Sequence, residues 1–253
     1  MKRTAALLIL LMLPICEARA STYQLYPQLD TYIRSDMPDD SFGSETVLKV
    51  GALRYCPTIY LGGGSCDPDE YVTAELRSMI RFNMSLVEEL VGPLGTVERA
   101  TLILTVAEAD PDHDTLVEAY PLTTPFDEFS TWETSISHCG WRTPGGDYDE
   151  DALLDRALVE AGAPLGREVR LDVTDYVRGY LNGTFREYGI ILVRGPTRGM
   201  VKFYSSEYSS LVHDYRPKLE IEVEEISLTI PVTPGLPGTG GAASGGTSGA
   251  GGT

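Results

Sequence analysis

The chain has 253 residues, with 37 acidic against 20 basic side chains, a formal charge of −17 and four cysteines. So acidic a surface rules against a nucleic-acid partner and repels polyanions and anionic membranes at long range. No stretch reaches the roughly 18 consecutive apolar residues that a membrane-spanning helix requires.

Lys2 and Arg3, the apolar run "AALLILLMLPI" and the closing "ARA" before Ser21 predict a secretory signal peptide over residues 1–20 and a secreted, soluble mature chain. Cys16 raises lipoprotein processing as a rival, but the "LPI" before it lacks the small residue that a lipidated cysteine needs. Removing Lys2, Arg3, Arg19 and Glu17 with the signal takes the mature charge to −19. About 210 residues then remain for a single β domain with its own core, over 21–230.

Short β-branched and aromatic runs follow in order. They are "DTYIRSD", "TVLKVG", "RSMIRFNMSL", "ATLILTVAEA", "TLVEAYPL", "REVRLDVT", "YGIILVRG", "VKFYSSEY" and "PKLEIEVEEISLTI", with Gly, Pro, Asp and Ser between them. In the last run Leu219, Ile221 and Val223 alternate with Glu220, Glu222 and Glu224, the pattern of an antiparallel strand with one wet face. Two segments have helical spacing instead: "DEDALLDRALVEAG", ending at Gly162, and "DVTDYVRGYLNG", with Thr174 or Asp172 as cap. The expected fold is an all-β antiparallel sandwich of jelly-roll type with one or two short helices. After Ile230 the run "PVTPGLPGTGGAASGGTSGAGGT" has too little apolar bulk for a core, so residues 231–253 read as a flexible linker or tail, with a larger polypeptide conceivable beyond it.

Cys56 and Cys66 flank "PTIYLGGGS", a loop that a disulfide closes in an oxidising compartment for ~2–3 kcal/mol on the chain-entropy model. Cys139 is left over and reads as a small buried hydrophobe. His138 beside it has no C-x-x-C partner, and His113 and His213 lack ligand spacing, so zinc is a weak candidate. Asn83 and Asn182 begin glycosylation sequons.

In order and spacing, "DTYIRSD", "SFGSETVLKVG", "RSMIRFNMSL", "ATLILTV", "WRTPGGDYD", "DVTDYVRGYLNG", "YGIILVRG", "VKFYSSEY" and "RPKLEIEV" resemble the DNRLRE domain family over roughly Tyr23 to Glu225. The resemblance implies a β-sandwich module of secreted and surface proteins, non-catalytic and directed to polysaccharide or cell-surface glycan.

Residue chemistry leaves several candidate sites. In "WRTPGGDYD", Pro144, Gly145 and Gly146 build a bend that packs Trp141 on the sandwich, while Asp147 and Asp149 are candidate ligands for a structural calcium ion. Asp110, Asp112 and Asp114 in "DPDHD" are a second calcium candidate, but the run lacks the Gly and distant Glu of an EF-hand and reads better as an exposed hairpin turn. Sugar binding calls for aromatic faces beside planar polar groups. Arg54, Tyr55, Tyr60 and Tyr71 supply these around the cysteine loop; Trp132 and Trp141 are the other platform, though large aromatics are more often packed. No G-x-S-x-G, H-E-x-x-H or P-loop occurs, so the chain does not read as an enzyme. The reading is a secreted carbohydrate-binding module, and its rival is a structural surface or adhesion domain that serves as a spacer on a Gly-rich tether.

Overall fold

The structure, a computed structural model, describes residues 15–57, 71–136 and 139–229, with side chains from 19 to 225 among them. Residues 19–225 form one compact unit. The elements are β1 (Ile15–Leu25), β2 (Leu29–Arg34), β3 (Val47–Tyr55), β4 (Val72–Arg81), α1 (Met84–Val91), β5 (Gly95–Ala109) and β6 (Thr115–Pro121). They continue as β7 (Thr134–Ile136), β8 (Cys139–Gly140), β9 (Asp155–Val159), β10 (Glu168–Asp172), α2 (Thr174–Leu181), β11 (Ile190–Arg194), β12 (Met200–Tyr204) and β13 (Lys218–Thr229). β1 starts inside the expected signal segment.

The fold is all-β and antiparallel, as expected. Hydrogen-bonded neighbours run β1-β13-β5-β12-β3-β4-β11-β6-β9, with β10 on β5 and β2 on β4, and β7 with β8 forms a separate ribbon. This path does not by itself identify a jelly roll. β5 bridges two groups of strands: its first part pairs with β13 and β10, and its last residues, Val106–Ala109, pair with β12.

Side-chain alternation makes two cores. Leu102 and Leu104 of β5, Leu171 of β10, and Leu219, Ile221 and Val223 of β13 join Leu48, Val50, Ile190, Leu192, Val201 and Phe203 in the main one. On β11 the intervening Ile191 and Val193 face the other way, into a second cluster with Ile33, Met79, Leu122, Phe126 and Trp141. A strand buried on both faces needs an unbroken apolar run, and "IILV" is one. The second cluster is covered by the long excursion from 122 to 154 between β6 and β9, which carries "WRTPGGDYD".

The helices depart from expectation in an instructive way. "DVTDYVRGYLNG" is helical as α2, and Asp172 Oδ1 accepts the Thr174 N–H at 2.9 Å. "DEDALLDRALVEAG" is not: its centre is β9, whose residues 155–159 pair with Ala119 to Thr115 of β6. Ladder pairing with β6 overrides the helical spacing there. "RSMIRFNMSL" does not continue as one strand either. β4 ends at Arg81, and Asn83 caps α1 by accepting the Leu86 N–H at 3.4 Å, after which Met84, Val87 and Val91 turn onto the main core. Gly92, at φ +62°, ends the helix with its N–H on Glu88 O.

Candidate functional site

Of the sequence-predicted sugar residues, the structure describes Arg54, Tyr55, Tyr71, Trp132 and Trp141, and it brings Arg54 and Tyr71 together. Arg54 is exposed and its guanidinium carbon lies 4.6 Å over the Tyr71 ring. Tyr55 is half-buried and engaged with Asp36. Tyr60 and Cys66 lie outside the described residues, and with them the pairing expected of Cys56, which is itself buried. Trp132 is half-buried against Arg77, 5.0 Å from ring centre to guanidinium carbon. Trp141 presents no free platform: it is 7% exposed in the second core, and its Nε1–H donates to Thr131 O at 2.9 Å. This is the packed bend weighed for "WRTPGGDYD".

The aspartates hold loops. Asp147 is 7% exposed, and its two oxygens accept the Thr124 hydroxyl (2.9 Å) and the N–H groups of Arg142 (3.0 Å) and Thr143 (3.1 Å). Asp149 Oδ1 accepts the Asp151 N–H. Asp110 accepts the N–H groups of Asp112 and His113, and Asp114 accepts that of Ala161. Among the described residues, no three His, Cys, Asp or Glu side chains converge as a metal site. The "DPDHD" turn is exposed but is not a hairpin, because β5 and β6 are not paired: β6 lies between β11 and β9. Cys139, expected to be buried, is exposed with a free thiol, on the two-residue β8 of the small ribbon, both of whose residues face solvent.

The convergence of aromatic and polar groups lies elsewhere, on the loop from 205 to 217 between β12 and β13. Its foot is fixed. Ser205 donates its N–H to Thr46 O and its hydroxyl to Glu45 O at 2.6 Å. Ser206 donates its N–H (2.8 Å) and hydroxyl (3.0 Å) to the buried carboxylate of Asp30 on β2. Above the foot, the Tyr208 and Tyr215 rings lie 4.1 and 5.1 Å from that of Tyr204, and His213 stacks on Tyr215 at 5.0 Å and 6°.

Charged groups flank these rings. Arg216 lies 4.2 Å over Tyr26 and donates to Asp214 at 2.9 Å, while the Tyr26 hydroxyl donates to the other Asp214 oxygen at 2.5 Å. The Arg216 hydrogen bond, helped by that of Tyr26, holds the Asp214 carboxyl down to about 2, so it is an ionised acceptor at neutral pH and cannot act there as a general acid. Accepting at Asp214 in turn raises Tyr26. A cavity of about 400 Å³ opens here, lined by Ser206, Glu207, Tyr208, Ser210, His213, Asp214 and Arg216 among others. Rings with hydroxyls, carboxylates and a guanidinium around a cavity of this size suit a small hydroxyl-rich ligand or one unit of a polymer. The sequence signal was the ring density of "FYSSEYSSLVHDY", which strand reading divides between β12 and a loop.

Comparison with known proteins corrects the family suggested by motif order. The model of the disaggregatase related repeat domain matches residues 59–221, from before β4 into β13. The DNRLRE resemblance is thereby overturned, since its motifs were ordinary strand and turn signals that many β domains share. No curated protein matches the sequence. Among solved structures, a cryo-EM structure of mud crab tombus-like virus aligns over 90% of this chain and 88% of that one, at 9% identity and a TM-score of 0.31. With more than half of its length matched by the family model, the chain belongs to the disaggregatase related repeat domain family.

Proposed function

We propose that this domain is a non-catalytic module that holds a polysaccharide at the β12–β13 loop, on the outside of the cell. The observation that carries the reading is one cavity lined by Tyr208, His213, Asp214 and Arg216, with Tyr204, Tyr215 and Tyr26 packed against those side chains. Sugar rings stack on aromatic faces, and their hydroxyls take hydrogen bonds from Arg and give them to carboxylates. The leader-like first twenty residues support export, and the Gly-rich segment after 230 suits a tether.

The test is retention on a panel of immobilised polysaccharides for wild type, Tyr208→Ala and Tyr215→Ala, with Tyr71→Ala as the control at the cysteine loop. Loss of retention in the first two with unchanged melting supports the site. Retention lost only in the control moves binding to the Arg54–Tyr71 pair. Repeating the panel with a chelator tests calcium, and release of reducing sugar would replace binding by hydrolysis.

A second reading, a structural surface or adhesion domain, is favoured by one observation. At the tip of the same loop, Leu211 and Val212 are 106% and 77% exposed, and exposed apolar tips are contact points for partners. Retention that survives loss of the rings but not Leu211→Ser would select it.

A further inference from the structure

Asp30 is the most deeply buried carboxyl in the described residues, 2% exposed on β2, and no function so far uses it. Ile80 stands opposite it on β4. Ser206 covers it, giving both its N–H and its hydroxyl to the carboxylate. The charge bearing on it is Glu207, the next residue of the loop, which is of the same sign; Glu45 contributes to the loop foot through its backbone carbonyl on Ser205. No Lys or Arg pairs with Asp30 among the described residues. Ser206 and Glu207 also line the cavity. The group that pins the loop is thus an acid with hydrogen bonds but no countercharge.

We propose that Asp30 is a pH-dependent latch on the β12–β13 loop, closed when its carboxyl is protonated and loosened when it ionises. The latch deepens the binding function proposed above, as the regulation of the same site. Its sign follows from linkage. Burial, reinforced by Glu207 and only partly offset by Ser206, pushes Asp30 up to about 6 from an ordinary 3.8. The closed loop therefore favours the protonated form more than a water-exposed Asp30 does, and ionisation favours whichever state lets water reach the carboxylate. Protonation does not cost the contact, because a neutral carboxyl still accepts the Ser206 N–H and can donate to the Ser206 hydroxyl oxygen. With those two values, the opening equilibrium of the loop rises about tenfold between pH 5 and pH 7.5.

The test is amide hydrogen exchange of peptides covering 204–216, corrected for the intrinsic pH dependence of exchange, at pH 5 and pH 7.5. Peptides of β5 serve as reference. Wild type is expected to lose about tenfold protection in the loop alone, and Asp30→Asn, which mimics the protonated acid, to show loop protection with no pH dependence. Should the Asn variant fold poorly, the carboxyl carbon shift of Asp30 in the wild-type protein gives the same answer by titrating near 6 rather than near 4. Equal loop protection at both pH values in wild type, or an ordinary titration of Asp30, overturns the latch. Polysaccharide retention measured across the same range separates the two proposals: pH-dependent exchange without pH-dependent retention keeps the latch and removes binding from this loop, whereas flat exchange removes the latch whatever retention does.

Discussion

Asp147 decides whether the Trp141–Asp151 bend is a metal loop or a self-supported turn. Its carboxylate takes the Thr124 hydroxyl and the N–H groups of Arg142 and Thr143 at 2.9 to 3.1 Å, and is itself 7% exposed. In Asp147→Ala all three donors lose their acceptor. Hydrogen bonds to a charged group are worth ~1.5–3 kcal/mol, but Arg142 and Thr143 are exposed residues whose N–H groups can turn to water, so about 1 kcal/mol each is the fair value. The substitution is expected to cost ~3 kcal/mol, equivalent to a fall in Tm of ~6–12 °C for a domain of this size. Asp147→Asn keeps one acceptor oxygen but replaces the other by a donor and removes the charge, and should cost roughly half as much. Urea unfolding followed by tryptophan fluorescence is the assay, because the only two tryptophans, Trp132 and Trp141, both lie in the excursion that Asp147 organises. Two results would refute the reasoning: an Ala variant within ~0.5 kcal/mol of wild type, or a wild type whose midpoint drops on adding a chelator. The second would mean that an ion, and not the loop's own N–H groups, balances the carboxylate.

Further perturbations probe other parts of the argument. Gly145 has φ +96°, and a Cβ there would come within 2.7 Å of the Trp132 ring and 3.0 Å of Arg77, so Gly145→Ala should destabilise by more than ~1 kcal/mol and shift the fluorescence of Trp132. Trp141→Phe keeps most of the packing but strands the Thr131 carbonyl, for a loss of ~1–2 kcal/mol in the same urea titration. Exposed Cys139 should be alkylated by iodoacetamide in the native protein, whereas buried Cys56 should react only after denaturation and reduction, as mass spectrometry of the digests would show. Asp214 is depressed, so what it contributes to the loop is present above its ordinary 3.8 and is lost as pH falls through about 2; its carboxyl carbon shift should move only in that range.

Strands were legible where one face is wet. The Leu219, Ile221 and Val223 alternation survives intact because Glu220 and Glu222 stand on the other side of β13. Legibility failed where a local signal met a longer-range one. "ALLDRALVEAG" has helical spacing, yet residues 155–159 are worth more as the edge strand beside β6, where Val159 reaches the main core. At α1 the error ran the other way: the apolar run carries straight on from β4 through Phe82, and only Asn83 with Gly92 nine residues later marks a new element.

The candidate site was hidden for a different reason. Its parts come from three places: Tyr26 after β1, Asp30 on β2, and the loop between β12 and β13. Nothing in the local pattern around Tyr26 or Asp30 distinguishes them from the other tyrosines and aspartates of an acidic, Tyr-rich chain. What distinguishes them is that β1 adjoins β13 and β2 adjoins β4, which puts both early segments against a loop about 180 residues later. The residues singled out around Cys56 and Cys66 had density along the chain in their favour, whereas the loop site has density in space. Binding residues sit on loops that a rigid sheet holds together, so their number within one stretch is a poor guide to where they meet. The Ser205 and Ser206 foot shows what the chain must supply in return. Two small hydroxyl residues at the end of β12 tie a thirteen-residue loop to Glu45, Thr46 and Asp30, and that anchorage is what allows three tyrosines and a histidine to hold a fixed arrangement beside open solvent.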